Sequence, residues 1–187
     1  MTVRSIVLAM AFGVIPLATS STALPPQYLP IFGGNGGNGF TRSCGTGKVL
    51  TGLMVRAGLL VDAVGVLCRP INADGSLGPE SQVGSLAGGG SATIAAKRCE
   101  SGKVAYGANI NYGSFVNRIF VHCTPWDKSQ RKWVKSSEFS GFTTNTPTLQ
   151  SPTTEQEMCE LGTQPVNGIR GRASALVDAI GFICDEP

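Results

Sequence analysis

The sequence predicts an all-β domain built from three copies of one four-stranded unit, and three observations predict it. First, the cysteines fall into three pairs of nearly equal spacing, and apolar residues alternate before each closing cysteine. Alternation with a period of two is typical of strands that bury one face. Second, glycines recur in register with the cysteines. Third, no segment after the first residues keeps the period of a helix. We therefore expect three four-stranded sheets packed around a pseudo-threefold axis.

The cysteine pairs are expected to be disulfides, one in each repeat. Six cysteines allow many connectivities, but pairing within a unit is the simplest for a threefold repeat because every unit then closes the same loop. The expected bridges are Cys44–Cys68, Cys99–Cys123 and Cys159–Cys184.

The strands of each unit follow from apolar alternation and turn residues. Val64, Val66 and Cys68 share one face, and the same pattern precedes Cys123 and Cys184. A second alternating run precedes it, so the first two units should contain hairpins around Gly58 and Gly113. Further β-compatible stretches, 81–96 and 133–144, bring the count to four strands per unit. In the second unit, alternation places His122 on the face opposite Val121 and Cys123, where we expect it to be exposed at the surface.

The N-terminus has the pattern of a secretory signal. Arg4 precedes an apolar run over residues 6–17, and small residues follow up to Ala23. The run is too short to span a bilayer, and no later stretch is a candidate span. We expect a signal peptide over 1–23 and one secreted, extracellular domain over 25–187. Its repeats should cover about 25–70, 71–125 and 126–187.

The composition points away from several function classes. Lys plus Arg number 15 against 12 Asp plus Glu, a net charge of +3, which is too little for a nucleic-acid binder. The chain has one His and no Cys-x-x-Cys spacing, so we expect neither a metal nor another cofactor. A nucleophile, a base and oxyanion donors cannot be assembled from the residue pattern, so we expect no catalytic residues and no enzyme.

Two segments at opposite ends of the domain resemble a known family. Residues 32–37, Phe-Gly-Gly-Asn-Gly-Gly, look like the aromatic-Gly-Gly-x-Gly-Gly opening of the jacalin-related lectins, and residues 166–181 resemble that family's closing strand pair. The resemblance covers essentially the mature chain. It implies a β-prism of three Greek-key sheets in which the terminal strands share one sheet. The cysteine-bearing repeats are also similar to the β-prism of the vitelline membrane outer layer proteins.

The resemblance to lectins implies sugar binding between a Gly-rich loop and a Gly-x-x-x-Asp loop. An ionised Asp accepts hydrogen bonds from sugar hydroxyls, backbone N–H groups donate to sugar oxygens, and glycine lets the facing backbone come close. The second loop occurs at 58–62, at 174–178 with Ser174 in place of Gly, and at 113–117 with Asn117 in place of Asp. Asn117 lacks the charged acceptor, so we expect at most two working sites.

By the symmetry of the repeats, the loop at 174–178 should face Gly36 and Gly37, and the loop at 58–62 should face Gly88, Gly89 and Gly90. The third loop should face 144–147. The candidate sugar-binding residues are therefore Gly36, Gly37, Ser174, Ala175, Leu176, Val177, Asp178, Gly58, Leu59, Leu60, Val61, Asp62, Gly88 and Gly89.

The function predicted by this resemblance is secreted, non-enzymatic binding of glycans or glycoproteins. A homo-oligomer would raise the avidity of weak sites. The alternative is a disulfide-braced extracellular coat or interaction protein that keeps the fold without binding sugar.

Overall fold

A computed structural model of the chain describes residues 24–90, 92–134, 140–144, 153–160 and 164–187. The expected signal segment, 1–23, lies outside the described residues. Over the described ranges the chain forms fourteen strands and no helix, so the all-β prediction is confirmed. The described residues therefore contain no apolar helix long enough to cross a membrane.

The strands form three antiparallel sheets with one common order. In each sheet two long central strands make a hairpin, and one outer strand pairs with each of them. Sheet 1 has the order β6-β5-β4-β7, with β4 (Lys48–Ala57), β5 (Val61–Pro70), β6 (Ser81–Gly88) and β7 (Ile94–Arg98).

Sheet 2 repeats this order with one outer strand split in two. Its central strands are β8 and β9, with β12 on one side and the split strand β10 and β11 on the other. The bounds are β8 (Lys103–Tyr112), β9 (Val116–Asp127), β10 (Lys132–Trp133), β11 (Ser140–Thr143) and β12 (Thr153–Met158).

Sheet 3 joins the two ends of the chain. Its central hairpin comes from the C-terminus and its outer strands from the N-terminus, so it has the same order as the other two sheets. The bounds are β13 (Val166–Ala173), β14 (Val177–Cys184), β1 (Gln27–Tyr28), β2 (Phe32–Gly33) and β3 (Asn38–Ser43), and both β1 and β2 pair with β14. The predicted three sheets are therefore present, with four strand positions in each.

The hydrophobic core lies between the three central hairpins. One face of each long strand is apolar and points inward, as the alternation predicts, and burying it is the main favourable term in folding. The inward residues include Leu53, Val55 and Val64 from sheet 1, Ile110, Ile119 and Val121 from sheet 2, and Ile169, Ile180 and Phe182 from sheet 3.

The three predicted disulfides are confirmed, and each one links two different sheets. The first cysteine of each pair follows an outer strand, and the second lies in a central strand of the next sheet around the axis. The pairs are Cys44 after β3 with Cys68 in β5, Cys99 after β7 with Cys123 in β9, and Cys159 after β12 with Cys184 in β14, all with Cα atoms 5.6 Å apart. Together the bridges tie sheet 3 to sheet 1, sheet 1 to sheet 2, and sheet 2 to sheet 3.

The repeated glycines Gly52, Gly107 and Gly168 mark the close approach of two strands. A Cβ atom at any of them would overlap a backbone oxygen of the neighbouring outer strand. Each glycine follows a β-bulge in the central hairpin. The bulged residue also accepts a hydrogen bond from the amide of a first cysteine: Cys99 donates to Thr51, Cys159 to Tyr106, and Cys44 to Asn167, at 2.7–2.8 Å.

The expected exposure of His122 is wrong: the side chain is only 2% exposed. It lies on the outer face of sheet 2, as the alternation predicts, but aromatic rings cover it there. The ring centroid of Tyr106 is 5.8 Å away and that of Phe120 is 5.1 Å away, and Trp133 of β10 stacks on Tyr106. Burial lowers the pKa of His122 below its usual value, because the charged ring would lose its hydration.

The glycine contacts predict a sharp difference between two Gly→Ala variants. Gly107→Ala places a methyl group against the backbone oxygen of Glu157 and should lower the free energy of unfolding by about 2 kcal/mol. Gly39→Ala, in β3, adds a methyl group to open space and should change it by less than about 0.5 kcal/mol. Urea unfolding of both variants is the measurement. Equal effects would show that the close approach is not a constraint.

Stability should also depend on the protonation of His122, the one histidine of the chain. Its pKa is lowered in the folded state, so the unfolded state takes up the proton first as the pH falls through about 6.5. The urea midpoint should therefore hold steady above neutral pH and drop between about pH 7 and pH 5, where carboxylates contribute little. A His122→Gln variant should lose most of this drop. The same slope in both proteins would contradict the assignment.

Candidate functional site

The candidate loops gather at the end of the prism opposite the disulfides. Each central hairpin turns there through three residues, 58–60, 113–115 and 174–176, and the amide of the first donates to the carbonyl of the third at 2.9–3.0 Å. Neighbouring units touch at this end. Gly34 of sheet 3 packs so closely against the carbonyl of Ser114 that a Cβ atom would overlap it. Gly89 of sheet 1 lies next to Ala175, where a Cβ atom would make a tight contact of 3.3 Å without overlap.

In sheet 3 the structure brings Asp178 directly beneath the N-terminal glycines. The amide of Gly34 donates to the carbonyl of Asp178 at 2.9 Å. A Cβ atom at Gly36 would overlap Oδ1 of Asp178, and one at Gly37 would overlap Oδ2. Gly37 also has a positive φ of 65°, which favours glycine. These positions therefore accept only glycine if the carboxylate is to keep its place.

The Asp178 carboxylate is buried and has few donors. The residue is only 3% exposed. Among the described residues, one side chain donates to the carboxylate: Ser174, whose Oγ lies 3.5 Å from Oδ2. A buried charge is costly unless hydrogen bonds satisfy it. The carboxylate therefore has remaining capacity to accept hydrogen bonds from a hydroxylated ligand at this end of the prism.

Arg172 fixes the Gly-rich loop above Asp178. Its Nε donates to the carbonyl of Gly36 and its Nη2 to that of Gly37, both at 2.7 Å. Two hydrogen bonds from one planar guanidinium fix both the position and the orientation of the loop.

Sheet 1 repeats the arrangement with different details. The amide of Gly89 donates to the carbonyl of Asp62 at 3.1 Å, and Gly90, with a φ of 76°, lies against the Asp62 side chain. Arg56 holds this loop through one bond, from Nη1 to the carbonyl of Gly90 at 3.1 Å. Asp62 is only partly buried. The second site is therefore more open and less firmly held than the first.

The other candidate residues fall into two groups. Val61 and Val177 are fully buried in the core, so only their backbone can face a ligand. The turn residues lie at the surface, and Leu59 is 70% exposed where sheet 3 has Ala175. The turn and rim positions are Gly58, Leu59, Leu60, Ser174, Ala175 and Leu176, with Gly88 pairing with Ala63 beside Asp62.

Sheet 2 has neither the acid nor the arginine at these positions. Asn117 replaces the aspartate and is buried. Asn111 replaces the arginine, and its Nδ2 donates to Thr154 Oγ1 at 2.9 Å. Of the expected facing segment, Thr144 bonds to the backbone of Ile119, and 145–147 lie outside the described residues.

The sequence interpretation missed Arg56 and Arg172 as site residues. Each arginine precedes its aspartate by six positions, and Asn111 precedes Asn117 by the same six. An alignment of the three repeats extended by a few residues toward the N-terminus would have found this covariation of arginine with aspartate. Gly90, expected in the facing segment but not among the candidate sugar-binding residues, lies against the Asp62 side chain.

Comparison with solved structures gives proteins of the same fold. A mannose-binding jacalin-related lectin from Ananas comosus matches over 87% of this chain and 99% of its own, with 17% identity and a TM-score of 0.59. Frutapin, a lectin from Artocarpus incisa, matches over 89% and 99% with 15% identity and a TM-score of 0.59. Artocarpin in complex with mannotriose matches over 88% and 99% with 12% identity and a TM-score of 0.56.

No protein-family profile matches the chain, and no curated protein matches it by sequence. At such low identity the structural matches show the fold, which is the β-prism of the jacalin-related lectins. The predicted resemblance is confirmed at this level. Both termini contribute to one sheet, as it implied.

Replacing Arg172 should loosen the loop over Asp178. Arg172→Gln removes two charge-assisted hydrogen bonds, worth about 1 kcal/mol at an exposed position. Hydrogen exchange at the Gly34 amide should therefore become roughly fivefold faster, while exchange at the Gly89 amide stays unchanged. Arg56→Gln is the matched control and should have the opposite selectivity. Unchanged exchange at Gly34 in Arg172→Gln would show that the arginine does not hold the loop.

Proposed function

We propose that this chain is a secreted, non-enzymatic lectin that binds mono- or oligosaccharides at the Asp178 site and, more weakly, at the Asp62 site. The observation that carries the proposal is the buried Asp178 carboxylate, which lies under a glycine-only backbone and has a single side-chain donor among the described residues. The mature unit is residues 25–187, and 1–23 direct its export.

The chemistry of the site suits a sugar ring. The Asp178 carboxylate accepts hydrogen bonds from two neighbouring hydroxyls, and the turn residues Ala175 and Leu176 supply backbone N–H donors that form no hydrogen bond within the described residues. The bare backbone at Gly36 allows the ring to approach. Few contacts are available to an exposed sugar, so the affinity of one site is low and several sites or an oligomer raise the avidity.

Mannose is the first sugar to test. The Ananas comosus lectin is described as mannose-binding and artocarpin was solved with mannotriose, and both have this fold. The natural partners in this proposal are glycans or glycoproteins.

One observation favours a second candidate, an extracellular coat or interaction protein of the same fold. Asp178 is only 3% exposed, and the three disulfides cross-link the sheets without any contribution from a sugar. In this case association with cell surfaces would be insensitive to excess mannose, galactose or glucose.

Substitution of the two aspartates separates the candidates. We expect binding on a glycan array, and in calorimetry with the best glycan Asp178→Asn should weaken binding at least about tenfold because a charged acceptor is lost. Asp62→Asn should lower the apparent number of sites. Asp127→Asn, at the last residue of β9 and at the other end of the prism, is the control and should bind normally.

An array without signal above background would contradict the lectin proposal. Normal binding by the Asp178→Asn and Asp62→Asn double variant would show that the sugar sits elsewhere.

A further inference from the structure

The outer face of sheet 2 carries a polar groove that neither loop site uses. We propose that this groove is a separate binding site for a neutral hydroxylated ring, of which a sugar residue is the expected example. The groove has a volume of about 470 Å³, which is within the range of small-molecule sites. It is lined by Asn109, Asn111, Arg118, Phe120, Thr143 and Thr154.

The lining includes two polar atoms without a partner. Oδ1 of Asn111 and Oγ1 of Thr143 are buried and form no hydrogen bond with the described residues. Asn111 is only 9% exposed, and its Nδ2 is already used by Thr154. Buried polar atoms are nearly always hydrogen-bonded in folded proteins. A hydroxyl group that enters the groove can donate to Oδ1 of Asn111 and either donate to or accept from Thr143.

The neighbouring groups supply an apolar surface and a fixed amide. Phe120 is partly buried, and the ring of His122 packs edge-on against it with centroids 5.1 Å apart. Nε2 of His122 donates to Oδ1 of Asn109 at 2.8 Å, which holds that amide in place. An aromatic ring beside amide and hydroxyl groups matches the C–H face and the hydroxyl edge of a sugar.

The other two repeats act as an internal control, because strand pairing identifies the equivalent positions. Asn109, Asn111, Arg118 and Phe120 of sheet 2 correspond to Met54, Arg56, Ala63 and Gly65 in sheet 1 and to Arg170, Arg172, Ala179 and Gly181 in sheet 3. The fold therefore does not require polar amides and an aromatic ring here. The two asparagines and the phenylalanine occur only in sheet 2, the one of the three sheets that lacks the aspartate at its turn.

The test uses the Asp62→Asn and Asp178→Asn double variant, in which the loop sites are disabled. Methyl α-mannoside, methyl β-galactoside, methyl β-glucoside and N-acetylglucosamine are each titrated to about 50 mM. The side-chain amide signals of Asn109 and Asn111 are followed by NMR. We expect saturable shifts with at least one sugar, weakened at least fivefold by Thr143→Val and by Phe120→Ala. Thr41→Val, on the outer face of sheet 3, is the control and should leave the shifts unchanged.

The possible results separate this site from the loop sites. Saturable shifts in the double variant support the groove even if the loops bind no sugar. Absence of shifts with all four sugars overturns the proposal, and so do shifts that occur in the wild type but vanish in the double variant. Thr143→Val preserves the side-chain volume, so unaltered binding in that variant also counts against the groove if Phe120→Ala fails to fold.

Discussion

The structure depends on the closure of three sheets into a ring, which the three disulfides impose. Each bridge joins an outer strand of one sheet to a central strand of the next, so no sheet can separate without breaking covalent bonds. Each loop of about 24 residues that a bridge closes restricts the unfolded chain by roughly 3 kcal/mol in the entropic account. Closure at this end fixes the three turns at the other end, where Gly34 and Gly89 touch the neighbouring turns.

The three repeats share the sheets and disulfides but differ in the polar residues near their hairpin turns. Sheets 1 and 3 keep an aspartate next to glycines and an arginine that holds the glycine loop, whereas sheet 2 has asparagine at both places. The Asp178 carboxylate is buried with one side-chain donor among the described residues, and burying a charge is costly unless hydrogen bonds satisfy it. We propose that this arrangement serves binding rather than folding. The cross-linked sheets offset the free-energy cost of burying this carboxylate.

The sequence was sufficient to predict the sheets, the pairing of the cysteines and the turns at Gly58 and Gly113, because cysteine spacing and alternation are local or repeated signals. The proximity of Gly36 and Gly37 to Asp178 followed only from the family resemblance, since 141 residues or more separate them. Spacing could not show that the disulfides cross between sheets, because it does not tell which strand precedes each cysteine. The burial of His122 depends on Trp133 and Tyr106, whose arrangement arises only in the folded sheet.

The most direct measurement is a crystal structure of the oxidised protein, residues 25–187, soaked with mannotriose. We expect one sugar ring between 174–178 and 33–37, with two hydroxyls within hydrogen-bond distance of the Asp178 carboxylate and its ring against Gly36. A sugar bound without any contact to Asp178 would contradict the account. So would the absence of bound sugar at these loops with both saturating mannotriose and the best glycan from the array.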